Sequence, residues 1–146
     1  MKEPLLISAC LLGTACRYDG QSKGLPEAHL ARLQACYHLI PVCPEQLGGL
    51  PTPRIPAERR GATVITADGT DVTQAYRRGA AEVLRLAQLL GCQKALLKER
   101  SPSCGSGQIY DGSFSHRFVS GFGVAAELLS AHRLKIYGES QLEALL

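Results

Sequence analysis

The 146-residue chain is long enough for one domain that buries about 70% of the surface of its unfolded form. With 45% hydrophobic and 20% charged residues, the composition excludes an intrinsically disordered protein. The formal charge of +3, without a basic block, argues against nucleic acid as the main partner, and no apolar run reaches membrane-spanning length. We therefore expect a single domain over residues 1–146 that does not enter a membrane.

The first third of the chain alternates short apolar runs with one helix. Residues 4–8, PLLIS, form a continuous apolar run that is typical of a strand buried on both faces of a parallel sheet. A helix is predicted over residues 26–37, because Pro26 suits the first turn and an apolar stripe follows it, which places Cys36 in the core. Residues 38–42, HLIPV, predict a second strand.

The middle of the chain contains a loop and a small hairpin. Residues 48–62 are rich in proline and glycine, which predicts an extended, largely irregular loop. This loop either closes over a ligand or packs as an irregular segment. Residues 62–73 predict a hairpin whose turn is Asp68-Gly69.

The last part of the chain continues the alternation, and its clearest signal is an amphipathic helix over residues 72–90 that ends at Gly91. A strand, a helix, a strand and a short helix opened by a capping box follow, at residues 94–98, 120–129, 133–137 and 140–143. This order predicts a single compact α/β domain with a mostly parallel, Rossmann-like sheet, helices on both faces and the small hairpin.

Three of the six cysteines, Cys10, Cys43 and Cys104, follow predicted strands. Loops that leave the carboxyl ends of parallel strands converge on one edge of the sheet, so we expect these thiols to meet there. Three thiolates without histidine suit soft metals and an iron–sulfur cluster. The alternative is that the three cysteines simply pack behind their strands. Cys16 is close enough to be a fourth ligand or a redox partner.

Polar residues beside these cysteines suggest a catalytic site. Glu45 lies two residues after Cys43, where a carboxylate can act as a general base on water next to a metal. Residues 101–107, SPSCGSG, supply the hydroxyls of Ser101 and Ser103, and glycines that let a polar ligand approach closely. The alternatives are an exposed loop acid and a plain Ser/Gly turn.

Other polar residues fall in the same loops. Arg17, Arg54 and Lys98 are expected to be salt-bridged or solvated. Tyr-Asp-Gly occurs at residues 18–20 and 110–112, and we interpret both copies as turns that flank the site. The four histidines show no metal-binding spacing, and we interpret them as surface or partly packed residues.

The cysteines also bear on location. Residues 7–10 look like a bacterial lipoprotein cleavage box, but Glu3 and Pro4 interrupt the apolar run that a signal peptide needs. We therefore expect a cytoplasmic protein. In that reducing compartment cysteines are metal ligands, catalytic or buried more often than they are disulfide-bonded.

Four motifs cover nearly the whole chain in order: SACLLGTACRYDG, CPEQLGGLPTPRIPAE, LKERSPSCGSGQIYDG and GFGVAAELL. Taken together they resemble the small bacterial family, first described as a domain of unknown function, that is typified by thiouracil desulfidases. The resemblance implies a [4Fe–4S] cluster bound by Cys10, Cys43 and Cys104, with one open iron that accepts the sulfur of a thiocarbonyl substrate.

The resemblance also implies roles for other residues. Glu45 and Ser101 correspond to the family's catalytic acidic residue and serine, and Ser22 falls where the family places a polar residue near the substrate. The implied reaction is the non-redox hydrolysis of a thiolated nucleobase to the oxo base and hydrogen sulfide. Two alternatives stay open: a protein that passes sulfide from the open iron to an acceptor, and an iron–sulfur sensor that binds a partner without turnover.

Overall fold

The computed structural model describes residues 2–146, which contain eight strands and four α-helices. The strands are β1 (Glu3–Ser8), β2 (Tyr37–Val42), β3 (Ala57–Arg60), β4 (Thr63–Thr66), β5 (Lys94–Leu97), β6 (Gln108–Tyr110), β7 (Phe118–Ser120) and β8 (Lys135–Gly138). The helices are α1 (Glu27–Cys36), α2 (Pro44–Leu47), α3 (Thr73–Leu89) and α4 (Val124–Ala131), with 3-10 helices at Ala9–Leu12 and Glu139–Leu145. Within residues 2–146, no helix is long and apolar enough to cross a membrane.

Four of the strands form the central sheet, in the order β2-β1-β5-β8 and with every pair parallel. Alternate side chains of β1 supply two cores. Leu5 and Ile7 pack with Leu33 of α1, whereas Leu6 packs with Val83 of α3. The predicted α/β fold is thus confirmed, with helices on both faces of a parallel sheet.

The hairpin exists, but its predicted boundaries, residues 62–73, are wrong. It pairs β3 with β4 around Gly61, so one of its strands lies in the stretch that was expected to be irregular. The Asp68-Gly69 turn also forms, but it leads only to an isolated bridge between Ile65 and Asp71. The sequence of β3, AERR, has little strand propensity, and tertiary contacts overrode that local preference.

Three further local predictions differ from the structure. A second hairpin, β6–β7, was not predicted, and Ser120 ends β7 instead of opening a helix. Cys36 is exposed, because α1 reaches the core through Leu33. The last helix is a 3-10 helix, and the Gln141 side chain, which accepts from Gly138 N at 2.9 Å, caps it where a Ser140 capping box was expected.

Helices α2 and α3 meet at two glycines, Gly48 and Gly79, whose backbones touch the opposite helix. A Cβ on Gly79 would overlap the carbonyl oxygen of Pro44, so only glycine fits. This contact fixes the position of α2, and Glu45 lies in the first turn of that helix.

We expect Gly79→Ala to destabilise the protein by about 1–3 kcal/mol through overpacking, although alanine favours a helix by about 1 kcal/mol. Denaturant unfolding measures the loss. Gln88→Ala, on the exposed face of the same helix, is the control and should change stability by less than about 0.5 kcal/mol. Equal stabilities of the two variants would contradict the tight backbone contact.

Candidate active site

Loops at the carboxyl ends of β1, β2 and β5 enclose a cavity of about 590 Å³. Cys10, Cys43 and Cys104 all line it, as the convergence of loops after parallel strands predicted. Cys16 lines it as well, and all of these cysteines are free thiols. The edge of the sheet therefore gathers four thiols around one space.

The loop after β1 places Cys10. The strand runs into a 3-10 helix that ends at Gly13, whose φ of 100° is easily reached only by glycine. The chain then turns back, so that Gly13 N and Lys23 N both donate to the carbonyl of Cys10, at 3.2 and 3.1 Å. Two loop segments thereby fix the backbone of Cys10 at the cavity wall.

Cys43 is placed by the abrupt change from strand to helix. It directly follows β2 and occupies the N-cap position of α2, where Pro44 suits the first turn. Glu45 therefore projects from the first turn of a helix that begins at the cavity. The Cys-Pro-Glu sequence thus places a thiol and a carboxylate side by side.

The Cys104 loop is held by the start of α4. Val124 N donates to Pro102 O at 2.8 Å, and Ala125 N donates to Ser103 O at 2.9 Å. The first N–H groups of a helix lack partners within the helix, and here the loop carbonyls supply them. A Cβ on Gly123 would overlap the backbone of Ser103, which accounts for a glycine in the GFG motif.

Burial controls the protonation of these thiols. It raises the pKa of Cys10 to about 12, with Cys104 and Cys16 adding to the rise and Lys98 opposing it. Burial likewise raises the pKa of Cys104 to about 11, and the hydroxyls of Ser8 and Ser103 oppose the rise because they can donate to the thiolate form. Both thiols are neutral near pH 7 without a metal, and binding to a metal would release their protons.

The donor set fits an iron–sulfur cluster better than a single ion. Within residues 2–146, no three His, Cys, Asp or Glu side chains are placed to share one metal ion. The cysteines of a cluster bind different irons, so they lie farther apart than the ligands of one ion. Soft thiol donors from three separate loops around a cavity of this size fit the cluster.

Glu45 is not an exposed loop acid, because its side chain is only 13% exposed. Its Oε1 accepts from Arg54 Nε at 2.9 Å, and its Oε2 accepts from Ser103 Oγ at 2.9 Å. Tyr76 lies beside this carboxylate, and its burial together with the charge of Glu45 raises the pKa of its phenol well above the ordinary value. The carboxylate is therefore held between partners on both of its oxygens.

Ser101 and Ser103 form a directed hydrogen-bond chain that ends at Glu45. The Oγ of Ser101 accepts from the backbone N–H groups of Ser103 and Cys104, each at 3.1 Å. The two serine Oγ atoms lie 3.0 Å apart. Ser103 donates its single hydroxyl hydrogen to Glu45, so Ser101 is the donor to Ser103. The loop is a Ser/Gly turn whose hydroxyls point along one path.

Six of the seven predicted site residues line the cavity: Cys10, Cys43, Glu45, Ser101, Ser103 and Cys104. Ser22 is half-buried and lies outside the cavity lining, whereas its neighbour Lys23 is part of that lining. The role of Ser22 stays a prediction.

The surrounding charges and turns were partly foreseen. Arg17, Arg54 and Lys98 are salt-bridged as expected, to Asp19, Glu45 and Glu139. The tyrosines of both Tyr-Asp-Gly turns, Tyr18 and Tyr110, line the cavity. The repeated turn therefore marked two walls of the site.

Sequence reasoning missed an aromatic wall between β6 and β7. Phe114 and His116 line the cavity, and their backbones have positive φ values of 57° and 60°. Residues other than glycine keep this strained conformation only where surrounding contacts hold it. Glu58 fixes the backbone at Phe114, since its Oε1 accepts from Gly112 N and Phe114 N at 3.0 and 3.1 Å. No periodic pattern marked this short hairpin. His116 is exposed, in agreement with its interpretation as a surface or partly packed residue, and its place in the cavity lining was not predicted.

The fold and the site define an α/β protein with a thiol-rich cavity at the carboxyl edge of a parallel sheet. The chain belongs to the 2-thiouracil desulfurase family, whose model matches residues 5–141. It is 49% identical to a solved structure described as a [4Fe–4S]-dependent thiouracil desulfidase, TudS (DUF523Vcz), with a TM-score of 0.94 over 99% of this chain and 95% of that one. It is also 40% identical to the uncharacterized protein YbbK of Bacillus subtilis (strain 168), over 97% of this chain and 99% of that protein. The family resemblance of the four motifs is confirmed.

Proposed function

We propose that this protein is a [4Fe–4S]-dependent desulfidase that removes sulfur from a thiouracil-like nucleobase by hydrolysis. Membership of the 2-thiouracil desulfurase family and the likeness to TudS support the activity. The observation that carries the proposal is the convergence of three thiols and a buried carboxylate on one cavity. The proposed reaction balances: the thiocarbonyl base and water give the oxo base and hydrogen sulfide, without net electron transfer.

Cys10, Cys43 and Cys104 would hold the cluster. When bound through three cysteines, such a cluster supplies an iron without a protein ligand, a Lewis acid that polarises a C=S bond. Cys10 and Cys104 are almost fully buried at the cavity wall, with 7% and 4% exposure.

Glu45 would act as the general base. A carboxylate offers about four lone-pair positions, and Arg54 and Ser103 use two of them. The remaining positions can accept a proton from a water molecule as it attacks the C=S carbon. The proton can then pass from Glu45 through Ser103 and Ser101 toward the substrate once both hydroxyls rotate to donate in the opposite direction, because they form a continuous chain from Glu45.

The cavity walls suit a flat heterocycle. Tyr110 and Phe114 line the cavity with aromatic side chains, and Ser103, which also lines it, is a proposed polar contact for the ring substituents. Ser22, next to the lining residue Lys23, is the second proposed contact. We propose that residues 1–146 act as one desulfidase domain, with a small thiolated base as its partner. A cytoplasmic location agrees with the free thiols.

Turnover of 2-thiouracil tests the function. Protein purified without oxygen and reconstituted with iron and sulfide should release uracil and free sulfide in equal amounts, with no added electron donor or acceptor. Uracil without free sulfide would favour the alternative in which sulfur passes to an acceptor. No uracil from cluster-loaded protein would contradict the proposal.

A further inference from the structure

Arg54 joins three parts of the cavity wall through a guanidinium that is only 7% exposed. Its Nε donates to Glu45 Oε1 at 2.9 Å, and its Nη2 donates to Cys16 O at 3.0 Å. Its Nη1 donates to Pro51 O and Thr52 Oγ1, each at 3.1 Å. A single planar group therefore bridges the proposed base and the loop that carries Cys16.

The carbonyl of Cys16 is a shared acceptor. Besides the Arg54 bond, it lies 3.7 Å from the Sγ of Cys43, whose thiol donates to it. A thiolate has no hydrogen to donate, so when Cys43 binds a metal the Arg54 bond alone holds this carbonyl. The guanidinium then links the surroundings of Cys43 to Glu45 without being a ligand.

Arg54 also limits how Glu45 can move. The guanidinium holds Oε1 and Ser103 holds Oε2, so the carboxylate plane is fixed from two sides. The two partners come from different loops, and the Arg54 backbone is itself anchored by a hydrogen bond from its N to Tyr18 O at 2.7 Å. Glu45 cannot rotate without breaking one of these bonds.

We propose that Arg54 is a positioning residue of the desulfidase reaction, an inference that rests on the proposed function. It aims the Glu45 carboxylate at the attacking water, while the substrate itself is bound by other groups. Its fork of donors is essential, because a lysine ammonium is a point charge that cannot hold Glu45 Oε1, Cys16 O and Pro51 O together.

The chain offers a matched control in Arg59. Its side chain is 14% exposed and also binds one carboxylate and two carbonyls: Glu127 at 2.8 Å, Phe122 O at 2.7 Å and Gly61 O at 2.9 Å. It lies outside the cavity lining. Arg59→Lys therefore removes a similar fork without touching Glu45.

The test compares Arg54→Lys with Arg59→Lys in cluster-loaded protein. Arg54→Lys should keep the iron content and a KM within about twofold of wild type, and lower kcat by about 10- to 100-fold, since small displacements of a reacting group cost that much. Arg59→Lys should leave kcat unchanged although it lowers the Tm. Equal effects of both variants on kcat, or iron loss that parallels the loss of kcat, would overturn the proposal.

A second readout does not need turnover. The Tm losses of Arg54→Lys and Glu45→Gln should be clearly non-additive in the double variant, because contacting residues couple energetically. Additive losses would overturn the link between the two side chains. If wild-type protein releases no uracil, the proposed function fails, and this cycle alone decides whether Arg54 holds Glu45.

Discussion

Replacing Cys10, Cys43 or Cys104 by alanine is expected to remove the cluster iron and to abolish turnover of thiouracil. The three thiols come from three separate loops, so the loss of one leaves two donors and an incomplete ligand set. Counting iron and sulfide per chain after anaerobic reconstitution measures the effect. Wild-type protein should contain about four of each, and the three variants should contain much less.

Two other cysteines are the controls for this experiment. Cys92 is as buried as Cys10, at 6% and 7% exposure, but lies outside the cavity lining, so Cys92→Ala should keep its iron. Cys16→Ala should also keep it, because three cysteines suffice for the proposed site. Iron loss in Cys16→Ala would instead make Cys16 a fourth ligand. A wild-type protein with no iron above background would contradict the proposed desulfidase and both of its iron–sulfur alternatives.

Glu45→Gln is expected to lower kcat by about 10²- to 10⁴-fold, the range that a general base contributes. Glutamine keeps the size of the side chain and one carbonyl acceptor, but it cannot take a proton from water. Its amide also places a donor opposite Arg54 or Ser103, both of which donate to the native carboxylate. Steady-state kinetics on protein of known iron content measures the loss.

The matched control for this substitution is Glu127→Gln. Glu127 pairs with Arg59 at 2.8 Å outside the cavity, as Glu45 pairs with Arg54 within it. Its variant should retain wild-type kcat and iron. A fully active Glu45→Gln enzyme would remove Glu45 as the base, whereas an iron-free one would mean that Glu45 acts through assembly of the cluster.

The sequence by itself determined the central sheet and the convergence of the cysteines. A continuous apolar run identified β1, because a strand buried on both faces leaves no polar alternation. A second short apolar run identified β2, which forms the edge of the sheet and is only partly buried. Since loops after parallel strands share one edge, the positions of Cys10, Cys43 and Cys104 along the chain were enough to bring them together. The long period-3.6 pattern identified α3, because only one face of this helix packs on the sheet.

Only the tertiary structure decided what surrounds those cysteines. The bonds of Glu45 to Arg54 and to Ser103 join residues 9 and 58 positions apart, and no local pattern encodes which side chains meet across a cavity. The strand β3 and the segment of Phe114 are joined by Glu58, a residue of β3 that accepts from Phe114 N, and not by local propensity. Strand propensity is weak compared with such contacts, so short edge elements and the partners of a catalytic carboxylate emerge only when the chain is folded.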